Sequence, residues 1–287
     1  WVLALATIFM NSIVFAIYTL MLPKDKHGDY KLPDAIMWVG SDLLSMGSVI
    51  SLSVGLSMLI VFVFSLENPA LPRFLNWGEL IMFGAVLLAV FIAYLYRITK
   101  YYGTVDPTSD DHIMAGKVQH EPMSQRTLAI FLILASFGAL VGGEALANFA
   151  HFAEHTLNLN FLYAALLLVV FAGTPEYIIV ASSHRKDEIE IALSNAFGGI
   201  VQVFFVVFAY TCLAAGIIGG LILGHVDVIP IDLFSVVLLF FAFPTMFILH
   251  RFIADDSKVN ALESIAMIAV FVMMLYVLLT FGIYPLN

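Results

Sequence analysis

The sequence predicts an all-α integral membrane protein, and three observations support this fold class. Of the 287 residues, 62% are hydrophobic and only 11% are charged, whereas soluble domains contain about 25% charged residues. The mean hydropathy is +1.00. The apolar residues also form runs that match or exceed the ~20 residues needed to cross a bilayer. Much of the chain is therefore expected to lie in lipid.

Eight apolar runs are long enough to span a membrane. They lie at about 2–22, 36–65, 76–97, 127–155, 160–182, 190–223, 232–252 and 260–284. The second and sixth runs are longer than one crossing requires, so they must tilt, bend or protrude. We therefore predict about eight transmembrane helices, with first-half helices in residues 1–100, an acidic loop at 101–126, and second-half helices in residues 127–287.

Basic residues are distributed unevenly between the two sides that alternating spans define. The opposite side from the loop 101–126 carries only Arg73. The other eleven lie in the breaks after the first, third, fifth and seventh spans: Lys24, Lys26, Lys31, Arg97, Lys100, Lys117, Arg126, Arg185, Lys186, Arg251 and Lys258. Because basic loops face the cytoplasm, we predict a cytoplasmic loop 101–126 and non-cytoplasmic positions for both ends of this chain.

The beginning of the chain is apolar from the first residue. Residues 1–22 lack a positively charged segment and a cleavage site, so they predict a membrane helix rather than a signal peptide. Because the chain starts inside this run, we expect further residues upstream of Trp1. The single cysteine, Cys212, excludes a disulfide within the chain. The net charge of −9 gives no sign of the basic face that nucleic-acid binding needs.

Glu176 is the strongest candidate for chemistry, because it interrupts a long apolar run directly after Gly173, Thr174 and Pro175. Carboxylates inside a membrane are costly and usually face a cavity or a partner. Glycine and proline loosen a helix and free backbone carbonyls, which is tolerated only where the backbone lines protein or water. Because carboxylate and carbonyl oxygens suit hard cations such as calcium, we predict a cation site with Glu176 as its metal ligand.

The next helix adds small and polar residues to this site. Ser194, Gly198 and Gln202 recur at i, i+4 and i+8, so they share one helical face. Small residues allow two membrane helices to approach closely. We therefore predict that Asn195 and Gln202 face the same cavity as Glu176.

The stretch 172–208 resembles the second α-repeat of the calcium/cation antiporter superfamily. Pro175–Glu176 resembles the end of its G-T-S-x-P-E motif, and AFGGIVQVFF at 196–205 resembles A-V-G-S-S-I-Q-I-A-L-F. This form is most similar to calcium/proton and cation/proton exchangers. The upstream GGEALANFAHFAEHTLNLN resembles the helix that opens the family's second half. The resemblance implies an inverted-repeat transporter in which Glu176 is the repeat carboxylate and Gln202 is the membrane-embedded glutamine.

The resemblance has gaps. The family's G-N-A-A-E-H signature is not intact around Glu176, and Ile200 stands where a polar residue is usual. Residues 1–22 resemble only the later part of the first repeat, with Asn11 matching its asparagine, and the first-repeat glutamate motif is not found. We therefore expect the fold without its first two helices. Because that arrangement lacks a second carboxylate, we also expect that residues 1–287 do not transport by themselves.

A polar stripe of Glu144, Asn148, His151 and His155 recurs at i, i+4, i+7 and i+11 along one predicted helix. The stripe is interpreted either as a cation or proton path, together with Asn11, or as hydrogen bonding between packed helices. For His155, which is near the outer end of the helix, hydrogen bonding is the favoured interpretation. His151–His155 also match the H-x-x-E-H pattern of zinc proteases. No third ligand is evident, so we expect neither bound zinc nor enzyme activity.

These patterns lead to two hypotheses about function. The first is a secondary active antiporter that exchanges a cation, with calcium as the leading choice, for protons. Desolvation favours the neutral form of a carboxyl group, so protons can compete with the cation near neutral pH. The alternative is a non-transporting structural subunit of a larger membrane complex. The expected partners are membrane lipid, calcium or another cation, protons and, for the alternative, other membrane subunits. No cofactor is expected besides the transported cation.

Overall fold

The computed structural model describes residues 2–32, 34–68, 74–102, 124–157, 159, 161–255 and 257–281. The helices in these ranges are α1 Val2–Met21, α2 Asp34–Glu67, α3 Trp77–Tyr102, α4 Gln125–His155, α5 Phe161–Arg185, α6 Ile189–Gln202, α7 Ala209–Ala215, α8 Leu233–Asp255 and α9 Ala261–Phe281. Two π-helical segments, π1 Val203–Phe208 and π2 Gly216–Ile222, flank α7. The strands are β1 Asp29–Lys31, β2 Phe74–Asn76, β3 Asp227–Pro230 and β4 Lys258–Asn260.

Eight helical runs within the described residues are long and apolar enough to cross a membrane. The run Ile189–Ile222 joins α6, π1, α7 and π2 into one span of 34 residues. The predicted helical membrane fold with about eight spans is therefore confirmed. Residues 103–123 of the predicted loop lie outside the described residues.

The chain divides into two compact units. One unit comprises Trp1–Ile92 and Asn160–Asn287, and the other comprises Ala93–Leu159, which includes all of α4. The candidate residue Glu176 lies in the first unit, whereas Glu144, Asn148 and His151 lie in the second.

Helix α1 lies at the centre of the first unit. It packs against α5, α6, α8 and α9, and about two-thirds of the residues in its most apolar stretch are buried. A helix that is apolar on all sides is stable where neighbours surround it. Its polar side chains are mostly satisfied locally: the Ser12 hydroxyl donates to the Ile8 carbonyl at 2.7 Å, and Thr19 contacts Ser264 of α9 at 2.9 Å. Asn11 is the exception, and it belongs to the site described below.

Helices α2 and α8 form the most extensive helix pair. Their backbones approach at Gly55, where an added Cβ would lie 2.9 Å from both the Cα and the N of Phe240. Small residues at such contacts allow packing forces to act at short range, which replaces the hydrophobic driving force that is missing in lipid.

The two short sheets join breaks that alternating spans place on the same side. β1, after α1, pairs with β4, before α9, and β2, before α3, pairs with β3, after the span that ends at Ile222. The pairings agree with the predicted alternation, while the side that faces the cytoplasm stays a prediction.

The same capping arrangement opens α3 and α9. At α3, the Asn76 backbone N–H donates to Glu79 Oε2 at 2.9 Å and the Glu79 N–H donates to Asn76 Oδ1 at 3.0 Å. At α9, Asn260 and Glu263 make the same two bonds at 2.9 and 3.0 Å. Each pair is a reciprocal capping box at the N-terminus of its helix. A strand followed by Asn-x-x-Glu and a spanning helix therefore occurs once in each half of the first unit.

Candidate cation site

Glu176 lies near the middle of the α5 span, Tyr163–Arg185. The sequence suggested that Gly173 and Pro175 loosen this helix, but α5 continues through both residues. Proline removes one backbone donor without ending the helix here, and the Thr174 hydroxyl donates to the Val170 carbonyl at 3.0 Å. Any freed backbone group is therefore a local feature of a continuous helix.

Gly173 makes room for an aromatic ring rather than for a break. A Cβ at Gly173 would collide with the hydroxyl oxygen and Cζ of Tyr177, one turn along the same helix. The Tyr177 hydroxyl is buried and has no hydrogen-bond partner among the described residues. The tyrosine ring thus lies on α5 next to Glu176, with a polar atom available for a further contact.

The carboxyl group of Glu176 lies where α1, α5 and α6 meet. A Cβ added to Gly199 of α6 would be 3.0 Å from Glu176 Oε2 and 2.9 Å from Asn11 Nδ2 of α1. Both contacts are tighter than a real Cβ tolerates without movement of its neighbours. Gly199 therefore allows the carboxyl group and the amide to occupy the same small space between three helices.

Asn11 is almost fully buried, with 2% of its surface exposed. Its amide lies beside the Glu176 carboxyl group, but the two do not meet at hydrogen-bond geometry. Neither Asn11 Nδ2 nor Asn11 Oδ1 has a hydrogen-bond partner among the described residues. A buried polar group without a partner costs about 1–3 kcal/mol. The Asn11 amide is consequently set beside a carboxyl group at a cost to folding.

Asn195 of α6 has a different environment. Its Nδ2 donates to the backbone carbonyl oxygen of Glu176 at 3.3 Å. This bond attaches α6 to α5 at the level of the carboxyl group, and the second candidate asparagine therefore positions the helix that carries Glu176.

The face of α6 that the sequence singled out lies away from this meeting point. Ser194 and Gln202 are exposed, and no atom of another element lies within 4 Å of a Cβ added to Gly198. The Gln202 side chain does not cap the π-helical segment that follows it. The structure therefore brings Glu176, Asn11 and Asn195 together and leaves Gln202 on the exposed face.

Gly199 is a residue of this meeting point that the sequence pattern did not single out as a site residue. It follows Asn195 by four residues, so the two share a face of α6. That spacing was the available signal, but the i, i+4, i+8 pattern of Ser194, Gly198 and Gln202 pointed to the neighbouring face.

The polar stripe of α4 is described within its own unit. Glu144, Asn148 and His151 are exposed there. The rings of His151 and His155 lie with centroids 4.3 Å apart at an angle of 46°. No group of three or more His, Cys, Asp or Glu side chains among the described residues is arranged to hold a metal ion. The path and the packing contact both stay predictions for this stripe.

Two titratable groups after α1 illustrate the electrostatics outside the spans. Backbone N–H groups of Asp29 and His27 donate to the Asp25 carboxylate at 3.0 and 2.8 Å and hold its pKa below the usual value. Burial, followed by the Glu190 carboxylate, raises the pKa of Tyr30. These shifts concern the connection between α1 and α2 and lie apart from the cation site.

The arrangement around Glu176 suits a hard cation. A carboxylate and an amide supply oxygen ligands of the kind that calcium and sodium prefer. Calcium takes 6–8 oxygens, so Glu176 and Asn11 would form only part of its coordination shell. Water molecules and other oxygen atoms would have to complete it.

Comparison with known proteins connects this geometry to a family. The family model described as "Sodium/calcium exchanger protein" matches residues 127–280, which include Glu176, Asn195 and Gly199. A solved structure of the sodium-calcium exchanger NCX_Mj, soaked with 2.5 mM Na+ and 0.1 mM Ca2+, matches with a TM-score of 0.52 and 15% identity, covering 96% of this chain and 74% of that chain. At this identity the likeness concerns the fold. A search of curated proteins found no significant match. The resemblance to calcium/cation antiporters is confirmed.

Proposed function

We propose that this chain, which belongs to the sodium/calcium exchanger protein family, exchanges calcium for protons across its membrane. Cation antiport is the function of this family, so the protein is a transporter and not an enzyme. The proposal concerns the identity of the two ions and the residues that bind them.

One observation carries the proposal: the Glu176 carboxyl group and the unpartnered Asn11 amide lie next to each other at Gly199. A cation bound there would give Asn11 Oδ1 the partner that it lacks. The contact also joins α1 to the helices that carry Glu176 and Gly199.

The choice of protons as the counter-ion rests on the carboxyl group. A carboxylate binds either a cation or a proton, and a proton removes the charge that attracts the cation. Deprotonated Glu176 would replace part of the calcium hydration shell together with Asn11, and protonation would release the ion. Alternating access then needs one helix group to rock against the other around the fixed site.

The test is calcium uptake in liposomes by the protein purified from its full-length gene, with residues 1–287 alone as a parallel sample for which we expect no uptake. A proton gradient, a sodium gradient and no gradient are imposed in parallel, and 45Ca2+ inside the vesicles is counted. We expect uptake with the proton gradient and only background uptake with the sodium gradient at constant pH. A proton ionophore that collapses the gradient should abolish the uptake.

The outcomes separate the levels of the proposal. Uptake driven by sodium but not by protons would keep antiport and contradict the proposed counter-ion. If the protein is folded, as checked by circular dichroism, but does not take up calcium with either gradient, the result would contradict the proposal and favour a structural subunit.

A further inference from the structure

A second feature of the first unit is an apolar cavity of about 310 Å³ between α2, α3, π1 and α8. Val49 and Val54 of α2, Met82 and Val86 of α3, Phe204 of π1 and Leu239 of α8 are among its lining residues. Ser53 is the one polar residue among the lining residues that the structure describes. The volume of the cavity is at the lower end of the ~300–1,000 Å³ range of ligand pockets. It lies apart from the cation site, whose residues are absent from its lining.

Tight glycine contacts hold the walls of the cavity in place. A Cβ at Gly47 of α2 would lie 2.6 Å from Met246 Sδ and 3.3 Å from the Phe205 ring. On α3, a Cβ at Gly84 would lie 2.7 Å from the Ala209 carbonyl oxygen of α7. Together with the backbone contact at Gly55, these positions leave the helices no room to close on the cavity. The cavity is therefore part of the packing arrangement and does not result from loose helices.

The π1 segment contributes the inner wall. Phe204 and Phe208 of π1 stack with centroids 5.9 Å apart, and both side chains are at most 4% exposed. A π-helical turn has one residue more than an α-helical turn, and such segments often mark functional positions. Here the wider turn places two stacked rings at the inner end of the cavity.

The mouth of the cavity opens at the depth of lipid tails. Its lining residues lie in the central half of their spans, for example 49–54 in Gly40–Glu67 and 82–87 in Trp77–Arg97. The rim residues Val49, Met82 and Val86 are 61%, 55% and 49% exposed. The cavity is therefore continuous with the apolar surface that α2 and α3 present to the bilayer.

We propose that the hydrocarbon chain of a membrane lipid occupies this cavity. Water is excluded as a stable occupant because a buried water needs two to four polar partners, and the described lining residues offer one hydroxyl. Lipid headgroups stay near the surface of the bilayer, whereas acyl chains reach the depth of the mouth. An uncharged, apolar cavity complements such a chain, and the bilayer supplies acyl chains next to its opening.

The experiment uses two photoreactive phosphatidylcholines in vesicles that contain the purified protein. One carries a diazirine at the end of its acyl chain, and the other carries it next to the glycerol. After illumination, the labelled positions are mapped by mass spectrometry of peptides. We expect the chain-end probe to label 49–54 and 82–87 several-fold more than the glycerol-proximal probe does, and more than it labels exposed Val63 of α2.

Variants that fill the cavity sharpen the test. Val54→Phe and, independently, Val86→Phe should reduce chain-end labelling of the lining several-fold, because the added ring occupies the space of the acyl chain. Val63→Phe, on the same helix as Val54 and outside the lining, is the matched control and should leave the labelling unchanged. Circular dichroism verifies the fold of each variant, and two filling variants keep the test valid if one fails to fold.

Three results would overturn the proposal. Equal labelling of the lining and of Val63 would show a general contact with lipid. Labelling that persists in both filling variants would place the chain outside the cavity. Labelling of Val63 without labelling of the lining would show that protein, including a second copy of this chain, covers the mouth.

Discussion

The two asparagines of the candidate site differ in what satisfies them. Asn195 of α6 donates to the Glu176 backbone, whereas the equally polar amide of Asn11 on α1 has no hydrogen-bond partner among the described residues. Around them, the two halves of the first unit repeat the same strand and capping box at Asn76 and Asn260. The scaffold is therefore shared between the halves, while the carboxylate of the site lies in only one of them.

This difference assigns separate roles to the two amides. A satisfied amide such as that of Asn195 stabilises the contact between α5 and α6. An unpartnered amide such as that of Asn11 costs stability in the empty protein and gains a partner when a cation arrives. Variants that separate binding from stability can test this division.

The largest effect is expected for Glu176→Gln. The substitution keeps the size of the side chain and removes the charge, so proton-driven calcium uptake should fall to background in liposomes. Glu67→Gln, at the exposed end of α2, is the control and should transport normally. Normal uptake by the Glu176 variant would show that the essential carboxylate lies elsewhere.

Gly199→Ala and Gly198→Ala are a matched pair on α6. At Gly199 the new methyl group would lie 2.9 Å from Asn11 Nδ2 and 3.0 Å from Glu176 Oε2, whereas at Gly198 it would have no neighbour within 4 Å. We expect calcium uptake to fall by about tenfold or more for Gly199→Ala. A tenfold change corresponds to ~1.4 kcal/mol in the free energy of calcium binding or of activation for transport. Gly198→Ala should transport normally, and equal effects of the two would contradict the site geometry.

Asn11→Leu and Asn195→Leu should change stability in opposite directions. Removal of the unpartnered Asn11 amide should raise the free energy of unfolding by about 1–3 kcal/mol and should weaken calcium binding. Removal of the Asn195 hydrogen bond should lower the free energy of unfolding by about 0.5–1.5 kcal/mol. Thermal unfolding in detergent, with and without calcium, measures both. Destabilisation by Asn11→Leu in the absence of calcium would mean that Asn11 has a structural partner.

The smallest effects are expected at the two capping boxes. Glu79→Ala and Glu263→Ala each remove the acceptor for one backbone N–H at a helix N-terminus. Loss of a cap costs about 0.5–2 kcal/mol, so both variants should lower the unfolding temperature by similar amounts and leave transport intact. A large loss from only one of them would contradict the equivalence of the two halves.

The sequence predicts the spans well because lipid imposes a simple requirement of length and apolarity. It also identifies Glu176, since a carboxylate in an apolar run stands out. It does not predict the contact between Asn11 and Glu176, which joins residues far apart along the chain. The helical period identified several faces of α6 but could not tell which one packs, so it pointed to Gln202 and did not single out Gly199. Pro175 suggested a break that the packing of α5 does not require.

The measurement that tests the cation site most directly is calcium binding to the purified protein at a series of pH values, by isothermal titration. If one proton and one calcium ion compete for Glu176, the apparent calcium dissociation constant should rise by about tenfold per pH unit of acidification once the carboxyl group is protonated. Glu176→Gln should abolish this dependence together with high-affinity binding. Calcium affinity that is independent of pH, or a pH dependence that survives in Glu176→Gln, would contradict the account.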